Sequence, residues 1–194
     1  MSDGCVGGFV PAGDGFSVAE LGKLPGRLVC ELVDGVLVAA PHGGAAQQAV
    51  VLELGFLLRR SSPAQFQVMV GPVEYQPDER TLLQPDVLVC HAGHLPRGPV
   101  KDPVQLVIEV VSETTRTIDQ VLKKTLYERA GVPAYWLFEP DEQVLTVLEL
   151  AEGKYVETAV VKGGDVFGSS RPFPVRVTPS ELVRRESRAI QPGG

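Results

Sequence analysis

LVIEVVSETTRTIDQVLKKTLYERAGVPAYWL, residues 106–137, is the stretch whose reading decides the fold. An apolar run, Leu106-Val107-Ile108, is broken by one acid, Glu109, and resumes at Val110-Val111. A polar loop follows, then a helical segment carrying Asp119, Lys123 and Tyr127 four residues apart. Gly131 ends that segment, and Ala134 to Phe138 reads as a further strand. A lone carboxylate buried in such an apolar run is costly unless a cation or hydrogen bonds meet it. The pattern is that of an α/β fold with a mixed sheet.

Upstream, Pro85-Asp86 opens a second apolar run, Val87-Leu88-Val89. If 86–90 and 104–111 are antiparallel neighbours, Asp86 and Glu109 converge at one edge of the sheet. Two carboxylates there repel each other, and a hard cation such as Mg²⁺ relieves the repulsion. The alternative is that Asp86 caps a turn after Pro85 while Glu109 faces solvent. On a wheel of 100° per residue, Ile118, Val121, Leu122, Leu126 and Ala130 share the buried face. Lys124 points away from it, whereas Lys123, Asp119 and Tyr127 lie on its border, where a lysine can reach inward over the sheet edge. An exposed Asp119–Lys123 pair at i,i+4 explains the same spacing. Glu31, in an otherwise apolar strand, is either a third acid of this site or the polar side of an edge strand.

The remaining elements frame these residues. Ser17-Val18-Ala19-Glu20 has the spacing of a capping box. Strands from Leu28 to Val33 and from Val36 to Ala39 flank Asp34-Gly35, a strong hairpin signal. A helix is expected over 46–58, with Val50, Val51, Leu54, Leu57 and Leu58 at helical spacing. Strands are expected at 65–70, 72–76, 86–90 and 104–111. Thr117 to Gln120 fits a second capping box opening a helix over 118–130. Strands follow at 134–138, 144–150 and 155–161. Thr178-Pro179-Ser180-Glu181 opens a last short helix with Pro179 at its first position. Residues 16–185 form one expected domain, between a disordered segment at 1–15 and a flexible tail at 186–194.

The chain has 194 residues, 44% hydrophobic and 22% charged, with a net charge of −6. That length suffices to bury roughly 70% of the surface an unfolded chain exposes. The acidity supplies no global field that would draw the protein to nucleic acid or to an anionic membrane. The three cysteines, Cys5, Cys30 and Cys90, include no CxxC pair, so neither a disulfide framework nor a zinc ribbon is indicated. No secretory signal and no membrane-spanning run is evident, and a reducing cytoplasm is the expected location. Cys90-His91 with His94 lacks a second ligand pair. No P-loop lysine and no nucleophile elbow appears, so kinase, ATPase and serine-hydrolase readings fail.

Taken together, Glu31-Leu-Val-Asp-Gly, Pro85-Asp86-Val, Glu109-Val-Val-Ser-Glu-Thr-Thr, Asp119 with Lys123 and Tyr127, and Gly131-Val-Pro-Ala-Tyr-Trp resemble the Uma family of candidate restriction endonucleases. That family belongs to the PD-(D/E)XK nuclease superfamily, and the resemblance spans roughly residues 16–185. It implies a restriction-endonuclease-like core with a Mg²⁺ (or Mn²⁺) site. Asp86 and Glu109 would be the acidic metal ligands, and the Val110 carbonyl a further one. The superfamily lysine falls two residues after the acid, where this chain has Val111, so the resemblance implies that Lys123 takes its role. Glu31 joins the implied catalytic set. Family members often carry a histidine at the start of the helix after the first hairpin; here Gln47-Gln48 stand there, and His42 lies five residues earlier.

The function this implies is Mg²⁺-dependent hydrolysis of DNA phosphodiester bonds by a homodimer, its interface suggested by apolar strands such as 144–150. Two alternatives remain. One is a nuclease-fold binding or assembly module with weakened catalysis; the other is a metal-dependent hydrolase of another phosphate ester.

Overall fold

The computed structural model describes residues 15–23, 30–39, 44–93, 97–101, 103–112 and 115–183. His42 and His94, the first fourteen residues and the tail from 184 onward lie outside the described residues. The helices are α1 (Val18–Leu21), α2 (Ala45–Ser61), a π-helical segment (Ile118–Lys123) continuing into α3 (Lys124–Arg129), and α4 (Pro179–Leu182). The first six strands are β1 (Cys30–Val33), β2 (Val36–Ala39), β3 (Phe66–Val70), β4 (Tyr75–Asp78), β5 (Thr81–Leu83) and β6 (Val87–His91). They are followed by β7 (Val104–Val110), β8 (Ala134–Glu139), β9 (Val144–Ala151), β10 (Lys154–Lys162), β11 (Phe167–Ser169) and β12 (Val175–Val177). The chain divides into two compact units, one of residues 1–42, 74–84 and 96–101, the other of 43–73, 85–95 and 102–194.

In the first unit four short strands run in the order β2-β1-β5-β4. Asp34 and Gly35 join β1 to β2 with positive φ at both positions (48° and 85°), the turn whose twist suits a hairpin. The Ser17–Glu20 capping box forms as its spacing predicts. Phe16, Leu32 and Leu82 make a small core of their own. The strand expected at 72–76 begins only at Tyr75, after a cis Gly71-Pro72 bond, and β5 is too short for the sequence pattern to reveal.

The second unit is built on a six-stranded mixed sheet, β10-β9-β8-β7-β6-β3, antiparallel except where β7 and β8 run parallel. The helical connection between those two strands is the crossover a parallel pair requires. On one face Val87, Val89, Leu106, Ile108, Val110, Trp136 and Phe138 pack under Val50, Val51, Leu54 and Leu58 of α2. The full length of α2 exceeds the expected 46–58 at both ends. Leu145, Val147 and Leu148 are buried within the chain between β8 and β10, so the apolarity of 144–150 has an internal explanation.

Two expectations for the segment after β7 are corrected. Thr117 does not cap the helix: it is already helical (φ −66°, ψ −38°) and its side chain makes no capping bond. Ser112 and Thr115 form the reciprocal pair instead, with Thr115 N donating to Ser112 Oγ (3.3 Å) and Ser112 N to Thr115 Oγ1 (3.1 Å). The wheel also fails locally. Val121 and Leu122 are 61% and 36% exposed, while Asp119 and Lys123 are buried. An angle of 100° per residue presumes i→i+4 hydrogen bonding. Here Lys124 N donates to Asp119 O, five residues back, and the wider turn carries a different set of side chains inward.

Candidate metal and catalytic site

Alternation along β7 turns Ile108 and Val110 toward α2 and Glu109 toward the opposite face. Val87 pairs with Ile108, so one step beyond the paired residues the antiparallel register brings Asp86 level with Glu109. The two acids therefore lie at the same end of adjacent apolar strands, with Glu109 on the face away from α2.

The π-helical segment and α3 cover this face. Lys123 Nζ lies 3.2 Å from Glu109 Oε1 and 3.5 Å from Asp119 Oδ1. Tyr127 donates its hydroxyl to the same Glu109 oxygen at 2.9 Å. Glu109, Asp119, Lys123 and Tyr127 are all buried. Lys124, by contrast, is only half-buried, so the expected distinction between the two lysines holds. Tyr135 on β8 fixes the helix from below: its ring centre is 5.1 Å from that of Tyr127, and its hydroxyl donates to Asp119 O at 3.0 Å. Burial of a lysine is tolerated because two carboxylates flank its ammonium.

Asp86 is held differently. Val110 N donates to Asp86 Oδ2 at 2.7 Å. Burial nevertheless pushes the Asp86 carboxyl up to about 6, with the charge of Asp119 adding to the effect. The Val110 amide, the Lys123 ammonium and a hydrogen bond from the Gln47 side chain oppose that rise without cancelling it. Two carboxylates, Glu109 and Asp119, therefore flank one ammonium, whose charge also acts on Asp86, and the local balance is short of positive charge.

Gln47, in the first turn of α2, stands where family members often carry a histidine, and sequence reasoning assigned it no contact. Its Nε2 donates to the Val110 carbonyl at 2.7 Å across 63 positions of sequence. Its position at the start of the helix after the hairpin was visible, but nothing in its neighbours announced what it would touch. Glu31 belongs to the first unit, where its buried carboxylate accepts the Gln84 amide at 2.7 Å. Cys90 is buried while its neighbour His91 is exposed and stacks on Phe66, so these two do not form a metal clip.

Among the described residues no group of three or more His, Cys, Asp or Glu side chains is placed to hold a metal ion by itself. The donors at the end of β7 are nonetheless chemically suited to a divalent cation. Asp86, Glu109 and the Val110 carbonyl are all hard oxygen ligands. A set of one or two carboxylates with room for water is what Mg²⁺ prefers over a complete protein cage. The charge shortfall around Asp86 is of the sign a cation would relieve.

A family model described as "Putative restriction endonuclease", Uma2, matches residues 18–181. Among solved structures, the fold is similar to that of a crystal structure described as a putative nuclease belonging to DUF820, from Anabaena variabilis. The TM-score is 0.71 at 18% identity, covering 87% of this chain and 97% of that one. A search of curated proteins gave no significant match. No helix among the described residues is long and apolar enough to cross a membrane.

Proposed function

Because the chain belongs to the Uma2 family of restriction-endonuclease-like proteins, we propose that it hydrolyses DNA phosphodiester bonds with the help of Mg²⁺ or Mn²⁺. The observation that carries this reading is the buried Lys123 ammonium beside Glu109, at the end of β7 where Asp86 accepts the Val110 amide. A purely structural helix would place a lysine in water at far lower cost.

In this reading Asp86, Glu109 and the Val110 carbonyl hold the cation. When bound, it polarises the phosphodiester and lowers the pKa of a coordinated water. Asp119 and Glu109 keep Lys123 charged and oriented. Its ammonium then faces the oxygen atoms that gain negative charge in the pentacovalent transition state. Tyr127 restrains Glu109 so that its second oxygen keeps a fixed direction. No side chain need form a covalent intermediate.

The test is cleavage of supercoiled DNA with Mg²⁺ or Mn²⁺, alongside RNA and small phosphodiesters. Lys123→Ala and Glu109→Ala serve as matched preparations. DNA cleavage by the parent protein, lost in both variants, supports the reading. Equal cleavage by all three proteins would assign the activity to a contaminant. Hydrolysis of small phosphodiesters without DNA cleavage would shift the substrate to another phosphate ester.

A further inference from the structure

Resting on the metal site proposed above, we propose that Gln47 is a neutral plug whose side-chain amide occupies the position of the divalent cation and must be displaced for the cation to bind. The geometry follows from what the amide touches. Gln47 Nε2 donates to the Val110 carbonyl oxygen at 2.7 Å, and the N–H of the same Val110 donates to Asp86 Oδ2 at 2.7 Å. The Val110 carbonyl and the Asp86 carboxylate are both expected ligands, and the N–H and C=O of one strand residue point to the same side. A donor on a carbonyl oxygen sits roughly 2.7–3.2 Å from it, and a cation on that oxygen would sit at about 2.0–2.6 Å. Amide and cation therefore compete for the Val110 carbonyl.

The chemistry is complementary as well. The amide group offers two N–H donors and no net charge. It satisfies the carbonyl without adding charge, and leaves one ammonium to balance Glu109 and Asp119 while acting on Asp86 from further off. The site therefore retains a pull on a cation while the amide is in place. Gln47 is itself only half-buried at the first turn of α2, so its side chain has room to swing outward without unfolding the helix. The residue thereby sets the affinity, because the cation must displace the hydrogen bond that the amide makes to the carbonyl.

The experiment measures Mn²⁺ binding directly, by calorimetric titration and by the loss of the free-ion electron paramagnetic signal, so it needs no substrate. The proteins are the parent chain, Gln47→Met, Gln47→Ala and Asp86→Asn. Gln47→Met keeps the length of the side chain but has no donor, and Gln47→Ala removes the side chain should the first variant fold poorly. Thermal unfolding checks that each is native. Removal of the amide is expected to tighten Mn²⁺ binding roughly fivefold, in line with the loss of one competing hydrogen bond. Mn²⁺ binding that Asp86→Asn abolishes but Gln47 substitution leaves unchanged or weakens would overturn the plug while sparing the metal site. Absence of Mn²⁺ binding in every protein, including the Gln47 variants, would overturn both.

Discussion

Lys123 reaches Glu109 from a helix fourteen residues downstream, and its ammonium shares one carboxylate oxygen, Oε1, with the hydroxyl of Tyr127. That arrangement changes what Glu109 does for the fold. From the sequence, an acid in an apolar strand facing a second acid is a source of repulsion, whose removal would leave metal-free stability level or raise it. With Lys123 and Tyr127 both directed at it, Glu109 is a structural partner as well as a candidate ligand.

Glu109→Ala should therefore destabilise the metal-free protein by about 2–4 kcal/mol, since it removes one of the carboxylates that balance a buried ammonium and the hydrogen bond from the Tyr127 hydroxyl. Urea unfolding in the presence of a chelator measures this. The stabilisation that Mn²⁺ confers on the parent should vanish in the same variant. An unchanged urea midpoint would show that the buried pair contributes nothing net.

Tyr127→Phe isolates the hydrogen bond from the packing. The ring against Tyr135 is retained, so the expected cost is that of a hydrogen bond to a carboxylate, about 1.5–3 kcal/mol. A loss above roughly 3 kcal/mol, the upper range for a hydrogen bond to a charged group, would mean that the hydroxyl anchors more than Glu109.

Asp86 gives a pH dependence of definite sign. Its carboxyl is raised from 3.8 to about 6, mainly by burial, so the folded chain holds this proton to higher pH than the unfolded chain does. Between about 4 and 6 the native state binds more protons, and this group's contribution to stability falls as pH rises. Asp86→Asn removes the titration while keeping an acceptor for the Val110 amide. In chelator, the stability of the variant relative to the parent should rise from pH 4 to pH 6 and then level. Unfolding temperatures measured across that range check it, and parallel curves would refute the raised carboxyl.

Val121→Lys tests the π-helical register. An α-helical wheel puts Val121 in the core, where a lysine would cost several kcal/mol. In the structure it is 61% exposed, so the change should stay within about 0.5 kcal/mol of the parent. Urea unfolding separates the two outcomes.

Much of the frame was legible because it depends on local chemistry. The Asp34-Gly35 hairpin, the Ser17–Glu20 cap and the apolar periodicity of α2 are decided by residues within a few positions of one another. The strands β5, β11 and β12 were not, since three residues carry too little period to distinguish a strand from a loop. The antiparallel pairing of β6 with β7 could be anticipated because only one register buries both apolar faces.

The sequence sufficed for the α/β class, for setting Asp86 and Glu109 at the ends of two apolar strands, and for expecting Lys123 rather than Lys124 to turn inward, from a border position strengthened by family resemblance. Only the tertiary structure decided how those groups are partnered. The bonds from Tyr127 to Glu109, Tyr135 to Asp119 and Gln47 to Val110 join residues 16 to 63 positions apart. A buried polar atom must find a partner wherever the packed chain supplies one, and sequence spacing does not encode that distance. The π turn belongs to the same class: its widened backbone places Asp119 and Lys123 inside and Val121 outside, against the periodicity of the residues themselves. Local propensity proposes a helix there, and the ion pair and hydrogen bonds it must reach decide which face turns inward.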